Sequence, residues 1–230
     1  MSDARVLLIT GASTGIGAAT ARQAVDAGWR VVLGARSEDK LQALAEELGG
    51  DEHALAVRCD VTSWDDQQAA VAAARERFGS LDAVFANAGF GAKRGFLEES
   101  VEHWKSMVDT NVLGCALSIR ACLGGFKEQG SGHVILTSSV AGRRALPGSL
   151  YSATKFAVSA MGEALRQEVA DTPIKVTLIE PGMVDTPFFD SPVSNALQAD
   201  DVARAVMYVL DQPPHVDVNE ILVRPVNQPT

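Results

Sequence analysis

The chain has 230 residues, 47% of them apolar and 21% charged, so it is long enough to bury one sizeable hydrophobic core. Its net charge of −9 argues against the basic surface that nucleic-acid binding requires. No apolar run reaches the length of a membrane span or forms a signal peptide. We therefore expect neither nucleic acid nor a membrane among its partners.

The cysteines and histidines do not form a metal-binding pattern. Cys59, Cys115 and Cys122 show no CxxC spacing and lie in apolar stretches, and the four histidines are isolated in the sequence. We interpret the cysteines as buried, reduced thiols of a cytoplasmic protein, and we predict no metal site.

Short apolar segments alternate with longer segments of helical periodicity along the whole chain. Their continuous hydrophobicity is typical of strands buried on both faces of a parallel sheet. Strands are predicted at 5–10, 30–35, 53–58, 82–86, 132–138, 174–180 and 219–224, and helices at 15–28, 38–49, 64–78, 101–128, 150–171 and 199–211. The pattern predicts a single α/β domain, 1–230, with a Rossmann-like, doubly wound parallel sheet of about seven strands in a three-layer αβα sandwich. The proline-containing segment at about 181–199 is predicted to be a substrate loop.

A glycine-rich turn follows the first predicted strand. Residues 10–20 read TGASTGIGAAT, and a predicted helix begins within this segment. Gly11 permits a tight turn, Gly15 lets the backbone approach a pyrophosphate, and Gly17 lets the helix pack close to the strand. The N–H groups of the helix N-terminus would then face the phosphates. The turn therefore predicts a dinucleotide site that comprises Gly11, Ser13, Thr14, Gly15, Ile16 and Gly17.

The end of the second strand of such a sheet contacts the adenosine ribose. An acidic residue there would bind the 2′-hydroxyl and repel a 2′-phosphate. This sequence has Arg36 at that place, whereas Glu38 and Asp39 belong to the first turn of the next helix. A solvated loop charge is the alternative interpretation. We predict that Arg36 binds the 2′-phosphate, so that NADP(H) is preferred over NAD(H).

Tyr151 and Lys155 are four residues apart at the start of a predicted helix and therefore share one helical face. An ammonium about 5 Å from a phenol, at an effective dielectric constant near 20, would favour the phenolate by roughly 3 kcal/mol, about two pKa units. We therefore predict that Lys155 lowers the pKa of Tyr151 and that Tyr151 acts as a general acid–base. A half-buried aromatic residue beside a lysine that extends to solvent is the alternative.

The motifs occur in an order that resembles the short-chain dehydrogenase/reductase family. They are TGxxxGIG at 10–17, NAG at 87–89, Asn111, the serines at 138 and 139, YxxxK at 151–155 and PG at 181–182, and they span essentially the whole chain. The resemblance implies an NADP(H)-dependent oxidoreductase that acts on a ketone, an aldehyde or a hydroxy acid. The C-terminal VNEILVRPVNQ resembles the NADP-preferring branch that includes 3-hydroxy acid dehydrogenases and clavulaldehyde reductases.

The resemblance also implies roles for individual residues. Tyr151 is the general acid–base, Lys155 also holds the nicotinamide ribose, and Asn111 supports a water that relays protons. Counted from the start of the strand at 132, the carbonyl-orienting serine is Ser139; counted back from Tyr151, it is Ser138. We predict Ser139, because a loop absorbs a missing residue more easily than a buried strand does. The further cofactor contacts implied are Asp60, Val61, Asn87, Ala88, Gly89, Tyr151, Lys155, Pro181, Gly182, Val184 and Thr186.

Alternatives remain open on the sequence alone. A non-catalytic NADP-binding regulatory protein of the same fold would not need Tyr151, Lys155 and Asn111 together. An epimerase or a dehalogenase is a further alternative, although such dehalogenases lack an intact dinucleotide turn. The basic pairs at 93–94 and 143–144 could bind a substrate carboxylate, although solvated loop charge is the preferred interpretation. The apolar helices near 101–128 and 150–171 indicate a homodimer or homotetramer, which the family commonly builds from them.

Overall fold

The computed structural model describes residues 4–189 and 191–228. Its strands are β1 (Val6–Thr10), β2 (Arg30–Ala35), β3 (Ala54–Arg58), β4 (Ala83–Ala86), β5 (Gly132–Thr137), β6 (Ile174–Pro181), β7 (Val184–Asp185), β8 (Leu197–Gln198) and β9 (Glu220–Val223). Its α-helices are α1 (Gly15–Asp26), α2 (Glu38–Glu47), α3 (Trp64–Phe78), α4 (Val101–Val108), α5 (Cys115–Gln129), α6 (Leu150–Glu168) and α7 (Ala199–Leu210).

Seven of these strands form one parallel sheet in the order β3-β2-β1-β4-β5-β6-β9. The predicted doubly wound sheet is thus confirmed, and the predicted strand bounds agree with the observed ones to within one residue. The strand order reverses between β1 and β4, which is where open α/β sheets bind ligands at the carboxyl ends of their strands. The short strands β7 and β8 pair with each other beyond the end of β6.

Helices cover both faces of the sheet because alternate residues of each strand point to opposite sides. Leu7 and Ile9 of β1 belong to the core that includes residues of α1, α2 and α7. Val6 and Leu8 belong to the core that includes residues of α3, α5 and α6. The fully buried strands therefore have an apolar core on each side, as their continuous hydrophobicity predicted.

The predicted helix at 101–128 is not a uniform α-helix, and this expectation is corrected. A π-helical segment, Asp109–Gly114, joins α4 to α5 without a break. Such segments widen one turn of a helix and are frequent at functional sites. Asn111 lies in this segment and is buried. The hydrophobic pattern of 101–128 had predicted one continuous helix and did not reveal this segment.

The three cysteines are buried and unpaired. Burial raises the pKa of Cys59, Cys115 and Cys122 to about 12, so their thiols are protonated and poorly reactive near neutral pH. Among residues 4–189 and 191–228, no helix combines the length and the hydropathy that crossing a membrane requires.

Candidate active site

The glycine-rich turn lies at the carboxyl end of β1 and leads directly into α1. Gly11 and Gly15 have positive φ angles of 67° and 54°, which residues with side chains rarely adopt. A Cβ atom on Gly11 would lie 2.9 Å from the Cα atom of Ala88, and one on Gly17 would lie 2.4 Å from the carbonyl oxygen of Gly11. The turn can therefore form only with glycine at these positions.

The N-terminus of α1 is suited to an anion. Thr14 is the N-cap residue, but its side chain makes no capping hydrogen bond, and the first turn contains no acidic residue. The first N–H groups of the helix are thus not satisfied by a capping side chain, and their dipoles favour a negative charge. Ser13 is partly exposed beside them, and Ile16 packs against the core. These residues fit the pyrophosphate of a dinucleotide.

Two predicted adenosine contacts lie at the ends of neighbouring strands. Arg36 follows β2 and is exposed, and its guanidinium has no hydrogen bond or ion pair to another residue in the described part of the chain. Asp60 follows β3; a hydrogen bond from the backbone of Thr62 lowers the pKa of its carboxyl, and the nearby charge of Arg36 contributes. Arg58, by contrast, forms a 3.5 Å ion pair with Glu38. Arg36 is therefore the available guanidinium at this edge.

Asn87 links the carboxyl ends of three central strands. Its backbone N–H donates to the hydroxyl of Thr10 at 3.1 Å, and its side-chain amide donates to the carbonyl of Thr10 at 3.1 Å. Its amide oxygen accepts from the hydroxyl of Thr137 at 3.2 Å. Ala88 also donates to Thr10, at 3.2 Å. Sequence reasoning did not identify Thr10 or Thr137, although a threonine at the end of an apolar strand was the available signal.

Tyr151 and Lys155 lie in the first turns of α6, where Ser149 caps the helix. The Lys155 ammonium lies 5.7 Å from the centroid of the Tyr151 ring and donates to the carbonyl oxygen of Thr137 at 2.7 Å. Lys155 is only 4% exposed. The pair is thus fixed against the carboxyl end of β5 and is not a solvated helix surface.

The two serines that follow β5 point in opposite directions. The Ser138 hydroxyl lies 2.7 Å from the Ser159 hydroxyl and donates to the carbonyl of Lys155 at 3.1 Å, so it points towards α6. Ser139 interacts with the hydroxyl of Tyr151 and donates to the carbonyl oxygen of Pro181 at 3.3 Å. The structure therefore brings Ser139, and not Ser138, to the tyrosine.

The protonation equilibria of the pair differ from the prediction. Burial raises the pKa of Tyr151 to about 12, and the hydrogen bond with Ser139 only partly opposes this rise. Burial also lowers the pKa of Lys155 to about 8. For the chain itself, the pKa of Tyr151 is thus raised and not lowered as predicted, because desolvation is the largest influence on the phenol. At neutral pH Tyr151 retains its proton.

Asn111 connects the loop after β4 to α6. Its side chain accepts from the N–H of Phe90 at 3.0 Å and donates to the carbonyl of Phe90 at 2.9 Å and to the hydroxyl of Thr154 at 3.1 Å. A Cβ atom on Gly89 would lie 3.0 Å from its amide oxygen and 3.7 Å from the Lys155 nitrogen. Asn111, Gly89 and Lys155 thus lie together, and both N–H groups of the Asn111 side-chain amide donate to protein acceptors.

Comparison with known proteins identifies the family. A sequence profile of the short chain dehydrogenase family matches residues 5–196. The chain belongs to the short-chain dehydrogenase/reductase family. It is 44% identical to an uncharacterized oxidoreductase of Staphylococcus haemolyticus, with 97% of this chain and 98% of that protein covered. An oxidoreductase of the Rossmann-like type is thus established by sequence as well as by fold.

Solved structures of this family superpose closely on the chain. The alcohol dehydrogenase of the archaeon Thermococcus sibiricus, complexed with 5-hydroxy-NADP, has a TM-score of 0.89 at 34% identity, with 97% of each chain covered. The 3-ketoacyl-(acyl-carrier-protein) reductase of Brucella melitensis, complexed with NADH, has a TM-score of 0.90 at 30% identity, with 98% of this chain and 99% of that chain covered. Related structures therefore hold both phosphorylated and unphosphorylated nicotinamide cofactors.

The segment after β6 passes over the glycine turn of this short-chain dehydrogenase/reductase. Val184 is buried, and a Cβ atom on Gly15 would lie 3.3 Å from the side chain of Thr186. Gly182 donates to the carbonyl of Val223 at 2.7 Å, so the turn after β6 is held against β9. Thr186 therefore lies beside the predicted pyrophosphate site. The position of Asp190, inside the predicted loop at 181–199, lies outside the described residues.

Arg143 is exposed but forms ion pairs within the protein, so its charge is not left for a substrate carboxylate. Its guanidinium forms hydrogen-bonded ion pairs with Glu180, at the end of β6, and with Glu220 on β9. Glu180 is 1% exposed, and burial raises the pKa of its carboxyl while Arg143 opposes the rise. Arg143 therefore neutralises a buried carboxylate next to Pro181. The sequence did not predict that Glu180 forms this ion pair, because a single acidic residue at the end of an apolar strand does not indicate burial.

Proposed function

We propose that this protein is an NADP(H)-dependent carbonyl reductase or alcohol dehydrogenase that uses Tyr151 as its general acid–base. The observation that carries the proposal is the convergence of Tyr151, Ser139 and Lys155 at the carboxyl end of β5, on the same edge of the parallel sheet as the glycine turn that follows β1. Ketones, aldehydes and hydroxy acids are the proposed substrate classes.

The side chains divide the chemistry between them. When bound, the cofactor supplies the hydride that is added to the carbonyl carbon of the substrate. Tyr151, which is protonated at neutral pH, gives its phenolic proton to the carbonyl oxygen as the C–O double bond becomes single. Ser139 donates a hydrogen bond to the same oxygen and so orients the carbonyl group. Lys155 stabilises the phenolate that Tyr151 becomes. Tyr151 then recovers a proton from solvent.

The preference for NADP(H) is part of this proposal and rests on Arg36. Its guanidinium is exposed at the end of β2 and unpaired within the described chain, whereas a carboxylate would be needed there to favour the 2′-hydroxyl. Asp60 and Val61 flank the adenine side, and Pro181, Gly182, Val184 and Thr186 flank the nicotinamide side. The helix N-terminus at Gly15 binds the pyrophosphate between them.

Replacing the tyrosine hydroxyl tests the mechanism. We expect Tyr151→Phe to lose at least about a hundredfold in kcat with carbonyl substrates, because the proton donor is absent. Binding of NADPH, followed by quenching of tryptophan fluorescence, should persist. Full activity of Tyr151→Phe would refute the mechanism. Cofactor binding by the native chain without turnover of any carbonyl would instead favour the regulatory alternative.

Assembly and location complete the proposal. We infer a homodimer or homotetramer built on α5 and α6, since a shallow groove along α5 is lined largely by apolar side chains that include Leu113, Leu117 and Leu123. A mass of 24.3 kDa in solution, measured by light scattering, would contradict this.

The buried thiols support a reducing compartment, and we propose the cytoplasm.

A further inference from the structure

A phenylalanine of the segment after β7 packs directly on the candidate catalytic tyrosine. The rings of Phe188 and Tyr151 meet edge to face, with centroids 5.6 Å apart and an interplanar angle of 64°. Phe188 also contacts the ring of Phe189, with centroids 5.1 Å apart. Because 42% of Phe188 remains exposed, part of its ring is available to a molecule bound beside Tyr151.

Gly91 provides the notch that receives this ring. A Cβ atom on Gly91 would lie 2.8 Å from the Cζ atom and 3.0 Å from a Cε atom of Phe188, which is too close for either to stay in place. The notch is itself held firmly, because the Nε2 atom of His103 donates to the carbonyl of Gly91 at 2.8 Å. Asn111 fixes the preceding Phe90 through both of its backbone groups. The position of the Phe188 ring is thus set by its neighbours.

The cations of the neighbouring segments either bind other groups of the protein or are exposed. Lys155 donates to the carbonyl of Thr137, and Arg143 pairs with Glu180 and Glu220. Lys93, Arg94 and Arg144 are exposed. A substrate carboxylate placed against the Phe188 ring itself would lose part of its hydration to an apolar surface, which is unfavourable. An aryl group placed there would bury apolar surface and stack on a ring.

We propose that Phe188 is the specificity-determining residue of this site, and that the wall formed by Phe188 in the Gly91 notch selects carbonyl compounds with an aryl or other flat apolar substituent over those with a carboxylate at that position. This inference rests on the proposed function and narrows its substrate class. It removes free hydroxy acids and keto acids from the preferred substrates and retains aryl ketones, aryl aldehydes and keto esters.

The proposal is tested with four carbonyl probes: ethyl benzoylformate, benzoylformate, ethyl pyruvate and pyruvate. They differ in whether the keto carbon carries a phenyl or a methyl group and in whether the carboxyl group is esterified, and each is reduced with saturating NADPH. We expect kcat/KM to be at least about ten times higher for each ester than for its acid, and for ethyl benzoylformate than for ethyl pyruvate. A native enzyme that prefers the acids, or that treats phenyl and methyl alike, overturns the inference.

Variants then assign the preference to the wall. Phe188→Ala should lower the phenyl-to-methyl ratio about tenfold, and Gly91→Ala should lower it in the same direction by displacing the ring. In the double variant, Gly91→Ala should have no further effect, because the ring that it displaces is gone. Phe188→Leu, which keeps an apolar side chain, should give an intermediate ratio. Tyr208→Ala, which removes an exposed aromatic side chain on α7, is the control and should leave the ratio unchanged.

The outcomes separate this inference from the function on which it rests. An unchanged ratio in both Phe188→Ala and Phe188→Leu, with thermal unfolding and NADPH binding like those of the native protein, refutes the role of Phe188 and leaves the reductase proposal intact. Additive effects of the two single changes refute the role of the notch. Full activity of Tyr151→Phe, or no turnover of any probe, overturns the proposed function and this inference together.

Discussion

Replacing Ser138 and Ser139 one at a time should give opposite results, although the two residues are adjacent. Ser139→Ala removes the hydroxyl that lies at the Tyr151 hydroxyl. Loss of one hydrogen-bond donor to the developing oxyanion reduces kcat by about 10²- to 10³-fold, or about 2.7–4 kcal/mol. The same change removes the hydrogen bond that the Ser139 oxygen accepts from the N–H of Ala141 at 3.1 Å, which costs about 1 kcal/mol of stability.

Ser138→Ala should leave kcat within about threefold of the native value, because the Ser138 side chain faces Ser159. Its cost falls on stability: the Ser159 hydroxyl and the carbonyl of Lys155 lose a partner, which should lower the free energy of unfolding by about 1–3 kcal/mol. For a chain of this length, Tm falls by about 2–4 °C for each kcal/mol.

Two measurements on each variant suffice: the rate of NADPH oxidation followed by its absorbance with one aryl keto ester, and thermal unfolding. The expected pattern is a large loss of kcat in Ser139→Ala and the larger fall in Tm in Ser138→Ala. The reasoning fails if Ser138→Ala loses a hundredfold in kcat while Ser139→Ala remains active. Equal losses in both variants would also contradict it, because the two side chains point in opposite directions.

Two further predictions concern the cofactor and the sheet. Arg36→Asp should lower the ratio of kcat/KM with NADPH to kcat/KM with NADH by about ten- to 150-fold, because a charge-assisted contact with the 2′-phosphate is lost. Initial rates with both cofactors measure this ratio, and Arg58→Asp is the control of equal charge change. An unchanged ratio in Arg36→Asp would exclude a contact between Arg36 and the phosphate. Burial lowers the pKa of His133 to about 3, so below about pH 6.5 the unfolded chain binds a proton that the folded chain does not. The free energy of unfolding should therefore fall as pH drops from 6 to 4, by up to about 1.4 kcal/mol per pH unit more in the native protein than in His133→Gln. Urea unfolding at several pH values measures this, and an equal dependence of the unfolding free energy on pH in both proteins would disprove it.

The sequence predicted the sheet well because its evidence is local and repeated. The central strands are apolar runs buried on both faces, and each helix has its own periodicity, so the order of elements specifies a doubly wound sheet. The glycine turn was equally predictable, since Gly11 and Gly17 meet steric limits that any side chain would violate. The same local evidence predicted one continuous helix over 101–128 and did not show the π-helical segment that carries Asn111.

The partners of charged groups were the least predictable feature. Arg143 and Arg144 are equivalent in the sequence, yet only the fold brings Arg143 to Glu180 on β6 and Glu220 on β9. The pKa of Tyr151 depends on the fold for a related reason. The spacing of Tyr151 and Lys155 on one helix indicates that they are neighbours, but the extent of desolvation depends on everything packed around them, and here desolvation is the largest influence on the pKa of each.

Sequence alone thus determined the fold class, the family, and the residue types that a nicotinamide-dependent oxidoreductase requires, because these depend on local pattern and on order along the chain. Tertiary structure decided which of two adjacent serines faces Tyr151, which arginine is neutralised by a buried carboxylate, and how Phe188 reaches Gly91, a residue 97 positions earlier in the chain. Each of these depends on side chains brought together from distant elements, where direction and desolvation, and not spacing, set the outcome.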